Sequence, residues 1–114
     1  MNFKKDEIIY YFIKYKDSQL PGIVRLKSER DQSSPHGLSC LFKIENILTS
    51  QYVGFETRII VGHSISANEL QGVGVSGADK YFFSFIELMK KLIKESMNPL
   101  DFFERKNLFE ELFE

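Results

Sequence analysis

The sequence has no tryptophan, a single cysteine and no excess of either charge, and each shortage excludes something. With Cys40 alone no disulfide can form within the chain, which points to a reducing compartment, most simply the cytoplasm. Sixteen acidic side chains against fifteen basic ones give a formal net charge of -1. That balance offers no electrostatic footprint for nucleic acid or for an anionic membrane. No apolar run preceded by basic residues reads as a secretory signal peptide, and none approaches the roughly 18 residues of a membrane span. Internal repeats and low-complexity linkers are missing too.

What is present is an aromatic, apolar chain. Eleven phenylalanines and five tyrosines stand among 114 residues that are 43% hydrophobic. A chain of this length buries roughly two thirds of its unfolded surface and has no material for a second core. Residues 1–114 are therefore read as one domain.

The first half reads as strands. Glu7 to Lys16 is rich in β-branched and aromatic residues that pack well on a pleated sheet, although Ile8, Ile9, Phe12 and Ile13 also fit helical spacing and a helix stays open. Pro21-Gly22 is a turn pair. Ile23 to Ser28 alternates, with Arg25 and Lys27 outward, and runs into a polar loop from Glu29 to Gly37. Leu38 to Ile44 is a third strand, with Leu38, Cys40 and Phe42 on one face. Phe55 to Ser64, carrying Arg58-Ile59-Ile60-Val61, is expected as a fourth strand, and Ser66-Ala67-Asn68 as the turn back. Glu69 to Val75 is then a fifth strand, weakened by glycine. Turn signals between short consecutive strands favour an antiparallel meander.

Helix is expected to follow. Ser76 and Asp79 have capping-box spacing, and Phe82, Phe85, Ile86, Met89, Leu92, Ile93 and Met97 recur at three and four residues. Lys80, Glu87, Lys90, Lys91 and Lys94 fall mostly on the other side. Asn98-Pro99 ends this long helix and opens another, with Asn98 as cap and Pro99 at the first helical position, running to about Leu112. The expected fold is thus α+β: an antiparallel sheet of about five strands packed against a long helix, with a short C-terminal helix.

Gly72-Val73-Gly74-Val75-Ser76-Gly77 matches the spacing of a dinucleotide-binding loop, whose glycines let a helix N-terminus approach a pyrophosphate. That loop belongs to a βαβ unit, whereas here the expected helix leads to Asn98-Pro99 and a second helix. Val73 and Val75 alternate with Gly72 and Gly74 as in a strand, and no lysine follows the last glycine as a P-loop requires. The run is read as structural, with no cofactor. Cys40, His36 and His63 could in principle supply a nucleophile with its base or a metal site, but they lack the paired spacing of a zinc motif. Cys40, among Leu38, Leu41 and Phe42, reads as a small buried hydrophobe. Adjacent Glu110 and Glu111 point to different helix faces, a poor geometry for acid/base chemistry. Neither a catalytic residue nor a metal ligand is assigned.

The order of elements resembles a group of small bacterial domains. The residues that carry the resemblance are Leu38-Ser39-Cys40-Leu41-Phe42-Lys43-Ile44, and Gly74-Val75-Ser76-Gly77-Ala78-Asp79 leading into Tyr81 to Ile93. It spans about residues 8 to 95 and departs at Leu38, where an aromatic is expected, and in an enlarged turn into the helix. Such domains look like immunity proteins of polymorphic-toxin and contact-dependent growth inhibition systems, which neutralise a cognate toxin domain by binding it. The resemblance implies a non-enzymatic cytoplasmic binder with a protein partner. It carries over no site residues.

The residues themselves suggest where such a partner would sit. Phe102 and Phe103, adjacent on one expected helix, are read as unable to face the same core, and Phe109 and Phe113 continue an apolar stripe. Asp101 to Glu114 holds five acidic and two basic side chains, a local charge of -3. Asp101, Phe102, Phe103, Glu104, Glu110, Glu111 and Phe113 are therefore the candidate partner-binding residues, with rings as anchors and carboxylates complementing a basic toxin such as a nuclease. The same rings could instead close the core or a homodimer. The alternatives are a small nucleotide- or small-molecule-binding enzyme using Gly72–Gly77, or a homo-oligomeric structural subunit.

Overall fold

A computed structural model of the chain describes residues 2–16, 20–34, 39–49, 55–74 and 77–103. Its centre is a five-stranded antiparallel sheet. The strands are β2 (Ile8–Lys14), β3 (Gly22–Ser28), β5 (Leu41–Thr49), β6 (Ser64–Ser66) and β7 (Asp79–Phe83), in the order β6-β5-β3-β2-β7. A separate pair, β1 (Asn2–Phe3) with β4 (Gln32–Ser33), lies within the N-terminal segment and the polar loop. Among the described residues three helices accompany the strands: α1 (Phe55–Arg58), α2 (Ala67–Gln71) and α3 (Phe85–Lys94), followed by a 3-10 turn at Pro99–Asp101. No helix of the described residues is long and apolar enough to cross a membrane.

The α+β class and the antiparallel sheet agree with the sequence reading, and the open choice at residues 7–16 resolves as strand. β2 is buried on both faces. Ile9, Tyr11 and Ile13 join Val24, Leu26, Phe42 and Ile44 in one core, while Tyr10 and Phe12 join Ile23, Leu88 and Leu92 in another. A strand between two cores has no polar face to show, which is why its run is continuously apolar rather than alternating. In β5 two register shifts leave Glu45 and Leu48 unopposed by β3. The extra residue changes the parity of the pleat, so Ile47 packs against the same core as Phe42 and Ile44 while Leu48 turns to the other.

Between residues 55 and 97 three expectations fail. Phe55 to Ser64 is not a strand: Phe55–Arg58 is a helical turn and only Ser64–Ser66 pairs with β5. The strand expected from Glu69 is a helix instead, α2 to Gln71, because Ser66 caps it by accepting from Glu69 N while the Glu69 side chain returns to Ser66 N; Val75, the expected end of that strand, lies outside the described residues. The expected long helix is shorter and starts later. Asp79–Phe83 pairs with β2 along its whole length, and the ten-residue α3 begins after Ser84, whose side chain accepts from Glu87 N at 3.2 Å. Leu88, absent from the expected buried face, is fully buried, while Ile86 and Ile93 point outward. The meander holds for β2, β3, β5 and β6 only. From β6 the chain crosses the sheet through α2 to reach the far edge at β7.

Each face of the sheet therefore has its own cover. Phe55, Ile59, Ala67, Leu70 and Val73, from α1, α2 and their flanks, cover one; Leu88 and Leu92 of α3, with Phe102 and Phe103, cover the other. The two covers are joined through β2, on which both rest.

Candidate functional site

Of the candidate partner-binding residues, Asp101 is exposed at the end of the 3-10 turn, whereas Phe102 and Phe103 are both buried in the α3-side core. The Phe103 ring packs edge-on to Tyr10 and to Phe85, at centroid distances of 6.0 and 5.5 Å. The premise that adjacent rings cannot share a core assumed a continuous helix. The chain instead leaves helical geometry at Phe102, the cap of a single 3-10 turn opened by Asn98 and Pro99. These two rings stabilise the domain and have little area left for a partner. Glu104, Glu110, Glu111 and Phe113, and the expected helix beyond Phe103, lie outside the described residues.

The glycine run also takes a different place. Gly72 caps the C-terminal end of α2, and the Lys80 ammonium of β7 donates to the Gln71 carbonyl there at 2.6 Å. The loop thus leaves the carbonyl end of a helix, where cations are favoured, rather than opening the amide end that attracts phosphate. Gly74, at φ +86, sits so close to β2 that a Cβ would lie 2.6 Å from Ile13 Cδ1 and 3.0 Å from the Tyr15 hydroxyl. Its lack of a side chain serves packing.

A cleft of about 520 Å³ opens at the corner between α1, β6 and α2 and is lined by Arg58, Ile60, His63, Ser64, Ile65, Glu69 and Gly72. Its geometry follows from the local sequence. Phe55 and Ile59 anchor the turn by burial, and the chain then reverses through Ile60-Val61-Gly62-His63, with His63 N donating to Ile60 O at 3.0 Å and Gly62 at φ +91. A positive φ at the third position is what glycine supplies in a type II turn. Two bonds pin this turn to the sheet: Gly62 N to Ile44 O at 2.8 Å, and Ile44 N to His63 O at 2.9 Å.

Polar groups around the cleft hold one another in place. Arg58 donates to the Gly72 carbonyl at 2.8 Å, tying α1 to the end of α2, and Ser64 donates to Glu29. Glu69 is engaged by the α2 cap. On the lip, Ile60 and Val61 are 41% and 54% exposed, so a rigid turn presents two β-branched side chains to solvent beside a guanidinium, an imidazole and a carboxylate. The arrangement supplies an apolar anchor with a charged rim, the combination found at protein contact surfaces. Sequence reading missed it by assigning Arg58 to Val61 to a strand. The signals that would have found it are Gly62, which breaks that strand, and Ser66-x-x-Glu69, which starts a helix.

Cys40 is buried in the core with Phe42 and Ile44, and His63 is exposed. Among the described residues no group of three or more His, Cys, Asp or Glu is placed to hold a metal ion. Compared with protein-family models, with curated proteins and with solved structures, the chain matches none.

Proposed function

We propose that the protein is a non-enzymatic immunity protein that binds and neutralises a cognate bacterial toxin domain. The observation that carries the binding part of this reading is the rigid, solvent-facing Ile60-Val61 lip beside Arg58, His63 and Glu69. The resemblance of residues 8 to 95 to immunity domains supplies the class of partner. A nuclease suits the acidic stretch from Asp101 to Glu114, because a toxin that binds nucleic acid presents basic surface.

The test is co-expression with the toxin domain encoded beside this chain. Wild-type protein rescues growth and co-purifies as a complex. Ile60→Asp combined with Val61→Asp keeps the fold, since both side chains are exposed, and weakens the complex about a hundredfold or more, as loss of a central anchor does. Absence of a complex with any neighbouring toxin defeats the immunity reading. A complex that survives the double substitution but is lost on Asp101→Lys moves the contact to the C-terminal stretch.

A further inference from the structure

We propose that the outer face of α3 is the contact between two copies of this chain, packed antiparallel about a two-fold axis near Lys90. This rests on a different surface from the toxin reading and stands independently of it.

Ile86 and Ile93 are 56% and 65% exposed, more than any other large apolar side chain among the described residues. Seven residues apart, they lie on one line of the helix about 10 Å from each other. Glu87 and Lys94, also seven apart, form a second line beside the first. A two-fold contact requires a patch that complements itself, so that a residue meets its counterpart from the other end. These two lines have that property. When a second α3 is laid antiparallel, Ile86 of each copy meets Ile93 of the other, and Glu87 of each meets Lys94 of the other.

Both charges suit the pairing. Among the described residues Lys94 forms no ion pair, in contrast with Lys91, which reaches Glu95 at 2.9 Å. The Glu87 carboxyl is held below the usual carboxylate range, chiefly by hydrogen bonds at the Ser84 cap, so it is charged at neutral pH. Lys90 is the unfavourable element, since its two copies meet at the axis, and a long side chain can carry its head out to solvent. Leu88 and Leu92 face the sheet, so the contact leaves the core of each copy intact. The patch is small compared with the roughly 800 Å² per partner of a standard interface, so the dimer is weak and concentration-dependent.

Sedimentation velocity of the full chain, from about 10 μM to about 1 mM, reads this directly. The wild-type chain shifts from monomer to dimer across the range. Ile93→Glu raises the dissociation constant about a hundredfold, and Lys94→Glu raises it about tenfold by setting like charges opposite each other. Glu87→Gln added to Lys94→Glu recovers most of that loss, because glutamine keeps the Ser84 cap while removing the repulsion. Lys90→Leu tightens the dimer. Circular dichroism of each variant separates loss of the contact from loss of the fold. A wild-type chain that stays monomeric throughout, leaving the face to another protein, overturns the proposal, as does a dimer indifferent to Ile93→Glu.

Discussion

Gly74 shows how much a single residue can settle. In sequence it is the middle of a glycine pattern with a phosphate-binding look; in the structure it is where the loop after α2 meets the sheet, at positive φ and in contact with Ile13 and Tyr15. Both conditions oppose a side chain, one through the backbone and one through space. Gly74→Ala is therefore expected to destabilise the protein by about 2 to 3 kcal/mol, measured by urea unfolding. Gly77 separates the two effects. It has φ +90 but open space around it, so Gly77→Ala should cost only about 1 kcal/mol. Equal losses at the two positions would sink the packing account. Phe102 and Phe103 carry the same lesson in reverse: read as anchors on an assumed helix, they are core residues because the turn ends between them.

At the scale of elements, the two misread helices were legible. Ser66-Ala67-Asn68-Glu69 and Ser84-Phe85-Ile86-Glu87 both have the spacing of a capping box, and both form one in the structure. Apolar periodicity overrode those signals, since Phe82, Phe85 and Ile86 fit helical spacing even though a strand ends and a helix begins between them. The Asn98-Pro99 start was legible, because Asn98 accepts from Leu100 N at 3.0 Å. Ser84→Ala is expected to lower stability by about 1 kcal/mol, with a smaller loss for Ser84→Asn, which retains a cap; thermal unfolding by circular dichroism checks the order. α3 also has Lys91 and Lys94 in its last turn and Glu87 in its first, the arrangement favoured by the helix dipole. The exposed lines on its outer face had no sequence signal of their own. Which side of an amphipathic helix meets the sheet depends on where the helix starts, and the start had been placed too early.

For the whole molecule, Tyr11 joins the layers. Its hydroxyl, fully buried, donates to the Leu70 carbonyl of α2 at 2.8 Å, so β2 holds the crossover that carries the chain to β7. Burial, with the neighbouring Tyr15, pushes the Tyr11 phenol well above its ordinary value of 10.0. The folded state therefore keeps a proton that the unfolded chain releases above about pH 10. Tyr11's contribution is complete below that pH and is lost as pH rises through the folded value. Urea unfolding should show stability falling above about pH 10, and less steeply in Tyr11→Phe, which starts about 1 to 3 kcal/mol lower because the Leu70 carbonyl loses its donor. Parallel pH profiles for the two proteins would refute this coupling. The sequence by itself determined the α+β class, the strand character of β3, the burial of Cys40 and the Asn98 cap before Pro99, because propensity, alternation and capping act over a few residues. Tertiary structure alone decided that β7 lies beside β2, that each sheet face has its own cover, that the glycine run packs against Ile13, and that Ile60 and Val61 reach solvent. These depend on which segments meet across the fold, and local pattern does not specify a partner that is distant in the chain.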